Sequence, residues 1–233
     1  MISSLYIFLG LAPSIIWLLF YLRRDVHPEP KSEVIKVFFY GMLVALGAIF
    51  LERGVFKIFK NLSPSPSILL ILNTFLGAAL IEEVLKYLVV KEKILTSPEF
   101  DEPIDAILYM MIAAMGFAGL ENILVLLQLS SSLLLRQTLF ILSLRFWGAT
   151  FLHVLCSGTV GFWLSLSFEE KEKKMKIPFL GLGIAIFLHG LYNFFIIKGG
   201  KGFLVAALIL ISLALFVSFG LKKHGSKPGK ELT

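Results

Sequence analysis

Charged residues are scarce in this sequence. Only 16% of its 233 residues are Asp, Glu, Lys or Arg, against about 25% in an average soluble protein. Hydrophobic residues make up 57% of the chain, and the mean hydropathy is +0.86. This composition excludes a soluble globular domain and predicts a protein that crosses the membrane several times.

The signatures of disulfide chemistry and of the common metal motifs are also missing. The single cysteine, Cys156, excludes a disulfide within the chain. Neither C-x-x-C nor H-E-x-x-H occurs. The segments between apolar runs are short, the longest being about fifteen residues, and none could form a soluble catalytic domain. Any chemistry must therefore take place among membrane-spanning helices.

What the sequence has in abundance is long apolar runs. At 1.5 Å per residue, each run is long enough to cross about 30 Å of hydrocarbon as a helix. We predict an all-α fold, a single domain over residues 1–233 built as a bundle of about seven transmembrane helices, with its core motifs in 67–197. The predicted spans are 4–22, 34–51, 67–90, 104–128, 137–166, 177–197 and 203–221.

The distribution of Lys and Arg predicts the orientation. If the N-terminus lies outside, 14 of the 22 Lys and Arg residues fall on the cytoplasmic side, with Lys36 counted there because it lies at the cytoplasmic end of the second span. Six fall outside, and Lys86 and Arg145 lie deeper within spans. Cytoplasmic segments of membrane proteins carry such an excess. We therefore predict a multi-pass protein of the cell membrane with an outside N-terminus and a cytoplasmic C-terminus. The basic residues are expected to contact anionic lipid, and nothing indicates a nucleic-acid partner.

Ionisable residues inside the apolar runs are the strongest clue to function. Glu82 and Glu83 lie in the third run, and Lys86 follows them by one helical turn. A carboxylate costs roughly 2.5–3.5 kcal/mol to insert at the centre of a transmembrane helix. Lys86 can balance one acid, so an ion pair that merely joins helices leaves the second acid unexplained. We predict that the second acid faces the interior of the bundle and acts as a general base.

Three further runs carry polar groups toward the same layer. Glu121 lies in the fourth run, Arg145 and His153 in the fifth, and His189 in the sixth. Asn193 follows His189 by one turn, so an imidazole and an amide share a helix face, and both can donate hydrogen bonds to a developing oxyanion. The alternative for His153 and for the His189 pair is structural hydrogen bonding between helices. Arg145 can snorkel toward the membrane surface or pair with a carboxylate, and we assign it no role in the chemistry.

In their order along the chain these residues resemble the PrsW family. That family belongs to the wider group of intramembrane glutamic proteases that includes the CAAX-processing Ras-converting endopeptidases. The resemblance covers about residues 20–200. The matching motifs are R-D-V-H-P-E-P at 24–30, E-E-x-x-K at 82–86, F-D-E-P-I-D at 100–105, G-F-A-x-x-E-N at 116–122, His153, and H-G-x-Y-N at 189–193.

The resemblance implies proteolysis of a membrane-embedded substrate, the first cut in an anti-sigma factor that releases a sigma factor. It assigns Glu82 and Glu83 to the catalytic acidic pair, Glu121 to the acid of the second motif, and His153 and His189 to the family histidines. Asn193 departs from the pattern, because PrsW sequences commonly have an acid there. An amide can donate a hydrogen bond but cannot titrate, which favours an oxyanion role at that position.

The hypothesis that follows is a metal-free endopeptidase with no cofactor and a water-filled cavity opening toward the cytoplasmic half. Glu82, preferred over Glu83 on the resemblance, takes a proton from the attacking water. His189 and Asn193 stabilise the oxyanion, and Glu121 and His153 orient the water or the base.

Two alternatives remain open at this stage. The first is a zinc-dependent protease that uses the same residues, with Glu82, Glu121, His153 and His189 as ligands, since carboxylates and imidazoles together suit zinc. The second is a proton-coupled transporter, in which intramembrane acids and histidines form a relay. The sequence shows neither the internal repeat nor the paired broken helices of many transporters, which disfavours this second alternative.

Overall fold

The computed structural model describes residues 2–23, 28–62, 64–95, 97, 100–129, 134–169 and 176–225. Seven of its helical spans are long and apolar enough to cross a membrane, which confirms the predicted number. Residues 24–27 of the first-loop motif lie outside the described residues. In chain order the elements are α1 (Ile2–Leu22), α2 (Lys31–Asn61), α3 (Pro66–Ile71), π1 (Leu72–Ala79), α4 (Leu80–Lys93), α5 (Pro103–Leu129), α6 (Leu135–Arg145), π2 (Phe146–Thr150), α7 (Phe151–Glu169), α8 (Lys176–Lys198) and α9 (Gly202–Gly225).

Two of the spans are composite. The third span joins α3, π1 and α4, and the fifth joins α6, π2 and α7. The hydroxyl of Thr74 donates to the backbone carbonyls of Leu70 (2.9 Å) and Ile71 (3.2 Å), and such bonds compete with the regular helical pattern. Short π-helical segments inside α-helices occur frequently at functional sites. Here each π segment ends a few residues before a motif residue.

The second helix is longer than predicted. We placed its end at residue 51, where charged residues begin, but α2 continues through Asn61. Charged residues do not end a helix, because they can lie on its exposed end. A helix-breaking residue such as proline does end it, and the first proline after this run is Pro64. The 31 residues of α2 span about 46 Å, more than the hydrocarbon thickness. The extension brings Glu52 onto the helix and into the bundle.

Helix α5 is the centre of the bundle. In its most apolar stretch 72% of the residues are buried, compared with 28–39% for the other spans. It packs against α1, α2, α4, α7 and α9. This central position explains why Glu121 and Asn122, near its end, can contact the polar residues of other helices.

Close packing around α5 depends on small residues, as the stretch at 113–119 predicts. A Cβ added to Gly41 of α2 would collide with the carbonyl of Ala113, and one added to Gly116 would collide with the carbonyl of Phe38. On the opposite side, a Cβ at Gly161 would lie 2.5 Å from the backbone of α5. The backbones of α2 and α7 therefore approach α5 directly, and larger residues at these positions would separate the helices.

The 100–105 motif begins α5. The carboxylate of Asp105 accepts hydrogen bonds from the backbone N–H groups of Asp101 (3.1 Å) and Glu102 (2.7 Å). This satisfies N–H groups just before the helix. One turn later, the hydroxyl of Tyr109 donates to Glu29 in the first loop. The motif therefore holds a loop to the central helix.

Candidate active site

The predicted site residues come together in the bundle. Glu82 and Glu83 lie in the first turn of α4, and His153 lies in the first turn of α7, directly after the two π segments. His189 lies on α8, where Gly190 packs against π1, since a Cβ there would lie 2.6 Å from the ring of Phe75. Residues as far as 107 positions apart in the sequence, Glu82 and His189, therefore share one polar centre.

Glu83 is the acid that Lys86 balances. The Lys86 ammonium lies 2.5 Å from Glu83 Oε1, and both side chains are completely buried. Glu83 Oε1 also lies 2.7 Å from His189 Nδ1, and Glu83 Oε2 accepts a hydrogen bond from the Ser157 hydroxyl at 3.2 Å. A buried charge is tolerated when it is paired and hydrogen-bonded, and Glu83 meets both conditions.

Glu82 has a different environment. Its side chain is also buried, yet its Oε2 has no hydrogen-bond partner among the described residues. This oxygen faces two imidazoles, with His153 Nδ1 at 3.5 Å and His189 Nε2 at 3.8 Å. A buried polar atom without a partner is costly and rare in folded proteins. Glu82 Oε2 is therefore the atom in this centre best placed to contact a bound group.

A second carboxylate fixes His153. His153 Nε2 lies 3.1 Å from Glu121 Oε2, and the same oxygen lies 2.9 Å from Nη2 of Arg145. Arg145 Nε also donates to the side-chain oxygen of Asn122, and the Asn122 amide donates to Thr150 Oγ1 at 3.0 Å. We assigned Arg145 no role from the sequence, but it connects α6 to Glu121 and so supports the histidine.

The hydrogen bonds assign the tautomers of both imidazoles. An ionised carboxylate can only accept, so the nitrogens that face Glu83 and Glu121 carry the protons. In a neutral imidazole the other nitrogen is then an acceptor. Nε2 of His189 and Nδ1 of His153 thus present lone pairs toward Glu82. Lys86 Nζ donates to His153 Nδ1 at 3.0 Å.

These residues fit a divalent metal ion. A carboxylate oxygen of Glu82 and one ring nitrogen each of His153 and His189 all lie within 4.8 Å of one another, and the three side chains are buried. Two imidazoles and one carboxylate form a donor set found at catalytic zinc sites. Carboxylates that fix the opposite ring nitrogens, as Glu83 and Glu121 do here, are the usual outer partners of zinc-bound histidines.

Glu121 does not belong to this group of three. It contacts the nitrogen of His153 that points away from Glu82, so it orients the histidine. The four-ligand set that we considered from the sequence therefore corresponds to three clustered residues and one supporting acid.

A cavity of about 580 Å³ reaches this centre. Its polar lining consists of Glu82, Glu121, Ser143, Arg145, His153, His189, Tyr192 and Asn193. Asn193 lies one turn from His189 and borders the same space, as predicted. A second cavity of about 520 Å³, between α2 and α5, reaches Glu121 from the other side and contains Arg53 and Gln128 at its wall.

The first cavity lies toward the end of the bundle where α8 ends and α9 begins, since Ile196 and Phe203 line it. We expected an opening toward the cytoplasmic half. In the predicted orientation, however, the connection between α8 and α9 lies outside, so the cavity lies in the outer half. The sequence predicts which helix carries each polar residue. The position of that residue across the membrane depends also on where the helix begins and ends.

One carboxylate of the centre was missed by the sequence analysis. Glu52, on the part of α2 that extends beyond the predicted boundary, lies within hydrogen-bonding range of Glu82. A hydrogen bond between two carboxyl groups requires a proton on one of them. The sequence did contain a signal, because Glu52 directly follows the apolar run 34–51. A predicted helix that continued toward Pro64 would have included Glu52 among the candidate residues.

A known protein family matches most of the chain. Its model, described as "PrsW family intramembrane metalloprotease", matches residues 29–220. The chain belongs to the PrsW family of intramembrane proteases. The match begins at Glu29 in the first loop and continues past the end of α8, so it includes every residue of the polar centre. It confirms the resemblance found in the motifs.

Curated PrsW proteins match most of the chain. The Protease PrsW of Geobacillus kaustophilus (strain HTA426) is 29% identical over 205 residues, which is 88% of this chain and 85% of that protein. Protease PrsW of Bacillus subtilis (strain 168) is 29% identical over 187 residues, 79% of each chain. Protease PrsW of Clostridioides difficile (strain 630) is 29% identical over 193 residues, 80% of this chain and 76% of its own. No solved structure matches the chain at a significant level.

Membership in the PrsW family favours a protease over the transporter considered from the sequence. A multi-pass membrane protein with a buried acid and histidine centre agrees with an intramembrane protease. The transporter alternative rested on the same acids and histidines, and the family supplies a hydrolytic explanation for them.

Proposed function

We propose that this protein is an endopeptidase that hydrolyses a peptide bond of a membrane-embedded protein at the group formed by Glu82, His153 and His189. The observation that carries the proposal concerns Oε2 of Glu82, which is buried at the wall of a cavity and has no hydrogen-bond partner in the part of the chain that the structure describes. It lies 3.5 Å from His153 Nδ1 and 3.8 Å from His189 Nε2. Surrounding contacts hold each imidazole in one tautomer, which is the preorganisation that catalysis requires.

We further propose that these three residues hold a divalent metal ion, zinc being the ion that the donor set suits best. When bound, the ion would act as a Lewis acid toward the scissile carbonyl. Within the chain, Glu83 and Glu121 accept hydrogen bonds from the ring N–H groups of His189 and His153 and so keep the two imidazoles oriented. Lys86 would lose its hydrogen bond to His153 Nδ1 if that nitrogen bound the metal ion. Its ion pair with Glu83 would remain, so Lys86 would still neutralise that acid.

The metal-free mechanism predicted from the sequence is the competing version. In it, Glu82 accepts a proton from water, while His189 and Asn193 donate to the oxyanion. One contact disfavours an oxyanion role for His189. Its Nδ1–H donates to Glu83, so Nε2 of a neutral His189, which faces the cavity, can only accept a hydrogen bond. Asn193 keeps its proposed donor role in both versions, because an amide always carries two N–H donors.

The substrate that we propose is an anti-sigma factor that spans the membrane, in which this protein makes the first cut. Support for this part is the family resemblance of the motifs. The location of the site is consistent with it, because the centre borders a cavity within the membrane-spanning bundle, where a membrane-embedded chain can reach it.

We also propose an outside N-terminus and a cytoplasmic C-terminus, on the Lys and Arg distribution. Single-cysteine variants at Lys201 and Arg23, both exposed and at opposite ends of the bundle, test it. In intact cells a membrane-impermeant maleimide should label Lys201→Cys and spare Arg23→Cys until the membrane is permeabilised. The reverse pattern would overturn the orientation.

The test of the function is reconstitution of the purified protein in liposomes with single-span candidate substrates. Specific cleavage by the wild type, absent for Glu82→Gln, supports the protease. Metal content measured before and after chelation decides the version. Stoichiometric zinc, whose removal stops cleavage and whose return restores it, supports the metal site. Full cleavage with metal far below one ion per chain would support the metal-free mechanism.

A further inference from the structure

The cavity at the active site has two facing walls. One wall comes from α6 and π2, with Leu144, Trp147 and Ala149, and the other comes from α9, with Phe203, Ala206 and Ala207. The polar centre lies at its inner end, where Glu82, His153 and His189 border the same space. The cavity is therefore a cleft between two helices that leads to the proposed catalytic group.

The mouth of the cleft faces the surface that contacts lipid. Trp147 is 63% exposed and Phe203 is 55% exposed, although both line the cavity. Both residues belong to spans that are apolar enough to cross the membrane. An exposed apolar side chain on a membrane-spanning helix is expected to contact lipid, so we infer that the cleft opens sideways into the bilayer.

Small residues line both walls of the cleft. In membrane bundles Gly and Ala mark places where helix backbones approach closely. Here Ala149 lies on one wall and Ala207 on the other, and the space between these two residues is the cavity. Ala207 is exposed, although α9 packs on α5, α7 and α8.

We propose that this cleft is the docking surface for a single transmembrane segment of the substrate, which enters sideways from the lipid between α6–π2 and α9. The occupant must be apolar, because the mouth is apolar and bordered by lipid. It must also present a peptide bond, because the buried Oε2 of Glu82, which has no partner among the described residues, borders the inner end of the cleft. This inference rests on the proposed proteolytic function and adds the route and the residues that bind the substrate.

The proposal makes Ala207 a position that controls access. Ala207 lines the cleft and is also exposed to lipid, so a larger side chain there can be accommodated without entering the protein core. Ala207→Trp should narrow the cleft. Its neighbour Leu208 is 62% exposed and does not line the cleft, so Leu208→Trp is a matched control on the same helix.

The experiment uses the full-length protein in liposomes and one single-span substrate that the wild type cleaves. Ala207→Trp should lower cleavage by roughly tenfold or more, because a displaced peptide bond is no longer aligned with the catalytic group. Leu208→Trp should cleave within about twofold of the wild type. Thermal unfolding and zinc content of both variants should match the wild type. Equal cleavage by the two variants would overturn the docking surface.

A crosslinking measurement keeps the inference testable if Ala207→Trp does not fold. In the Glu82→Gln background, benzoylphenylalanine at position 147 should crosslink to the substrate segment, and the same probe at Phe39 of α2, with a similar exposed fraction of 59%, should not. Crosslinks from position 147 to lipid only would identify the cleft as an acyl-chain site and overturn the proposal. If the wild type cleaves no membrane-spanning substrate, the proposed function fails instead, independently of the cleft.

Discussion

Glu82 and Glu83 are neighbours in the chain, yet they lie in opposite kinds of environment. Glu83 is completely buried and is held by Lys86, His189 and Ser157. Glu82 is 5% exposed and borders a cavity, and its Oε2 has no hydrogen-bond partner within the described residues. One acid completes a balanced network, and the other keeps one oxygen available to bind. The comparison shows how one short motif can supply both a fully paired carboxylate and a carboxylate that borders a cavity.

The most direct way to break this comparison is to remove the acid on the cavity side. Glu82→Gln keeps the shape of the side chain but removes the charge that would bind metal or accept a proton. Cleavage should fall by roughly 10²–10⁴ while the protein stays folded. Turnover in liposomes and thermal unfolding measure the two effects. Glu92→Gln, an exposed acid on the same helix, is the control and should retain full activity.

Removal of the acid on the paired side should have an effect of another kind. Glu83→Gln leaves the Lys86 ammonium without its carboxylate partner in the interior. Removing one partner of a buried ion pair costs about 3–5 kcal/mol. The yield of folded protein and its unfolding temperature should therefore drop sharply. Adding Lys86→Met should recover much of the folded protein without recovering cleavage, and a stable, active Glu83→Gln protein would contradict the assignment of the two acids.

Asn193 tests the donor side of the cavity. Asn193→Ala removes an amide that lies one turn from His189 and borders the cavity. If it donates to the oxyanion, turnover should fall by about 10²–10³ with substrate binding and stability largely kept. Asn193→Asp is the informative companion, because it keeps the size but removes the donors. Equal turnover by Asn193→Ala and the wild type would remove Asn193 from the mechanism.

The smallest expected effect concerns Arg145, which reaches the centre through Glu121. Arg145→Gln should leave the fold intact and lower zinc affinity or cleavage by about 10–100-fold, the usual range for groups that orient a metal ligand. Arg145→Lys should recover part of the loss because it keeps the charge. Zinc affinity, measured by competition with a chelator, separates this role from a structural one, since a structural role would lower the unfolding temperature and leave affinity unchanged.

The division between predictable and unpredictable features follows from the range of the forces involved. The seven spans could be predicted because the length of an apolar run is a local property that the bilayer thickness selects. Glu82, Glu83, Glu121, His153 and His189 could be singled out because each is costly in hydrocarbon and needs a compensating partner. Glu52 escaped because the end of α2 was placed at a charge and not at a helix breaker.

The contacts of Arg145 and the choice between the two acids could not be predicted. Lys86 lies one helical turn from both Glu82 and Glu83, so helix geometry leaves either pair possible. The structure decides for Glu83 because His189 from α8 and Ser157 from α7 converge on the same carboxylate. Arg145 gains its partners from α5, 23 and 24 residues earlier in the chain.

By itself, then, the sequence determined that this protein lies in the membrane as seven helices and that acids and histidines are buried among them, because hydrophobicity and charge act through each residue's own transfer cost. It also carried the family motifs. The tertiary structure alone decided which carboxylate is paired, which oxygen is left without a partner and where the cleft opens. Those features depend on distances between side chains of α4, α5, α7 and α8, and such distances are set only when the helices pack around α5.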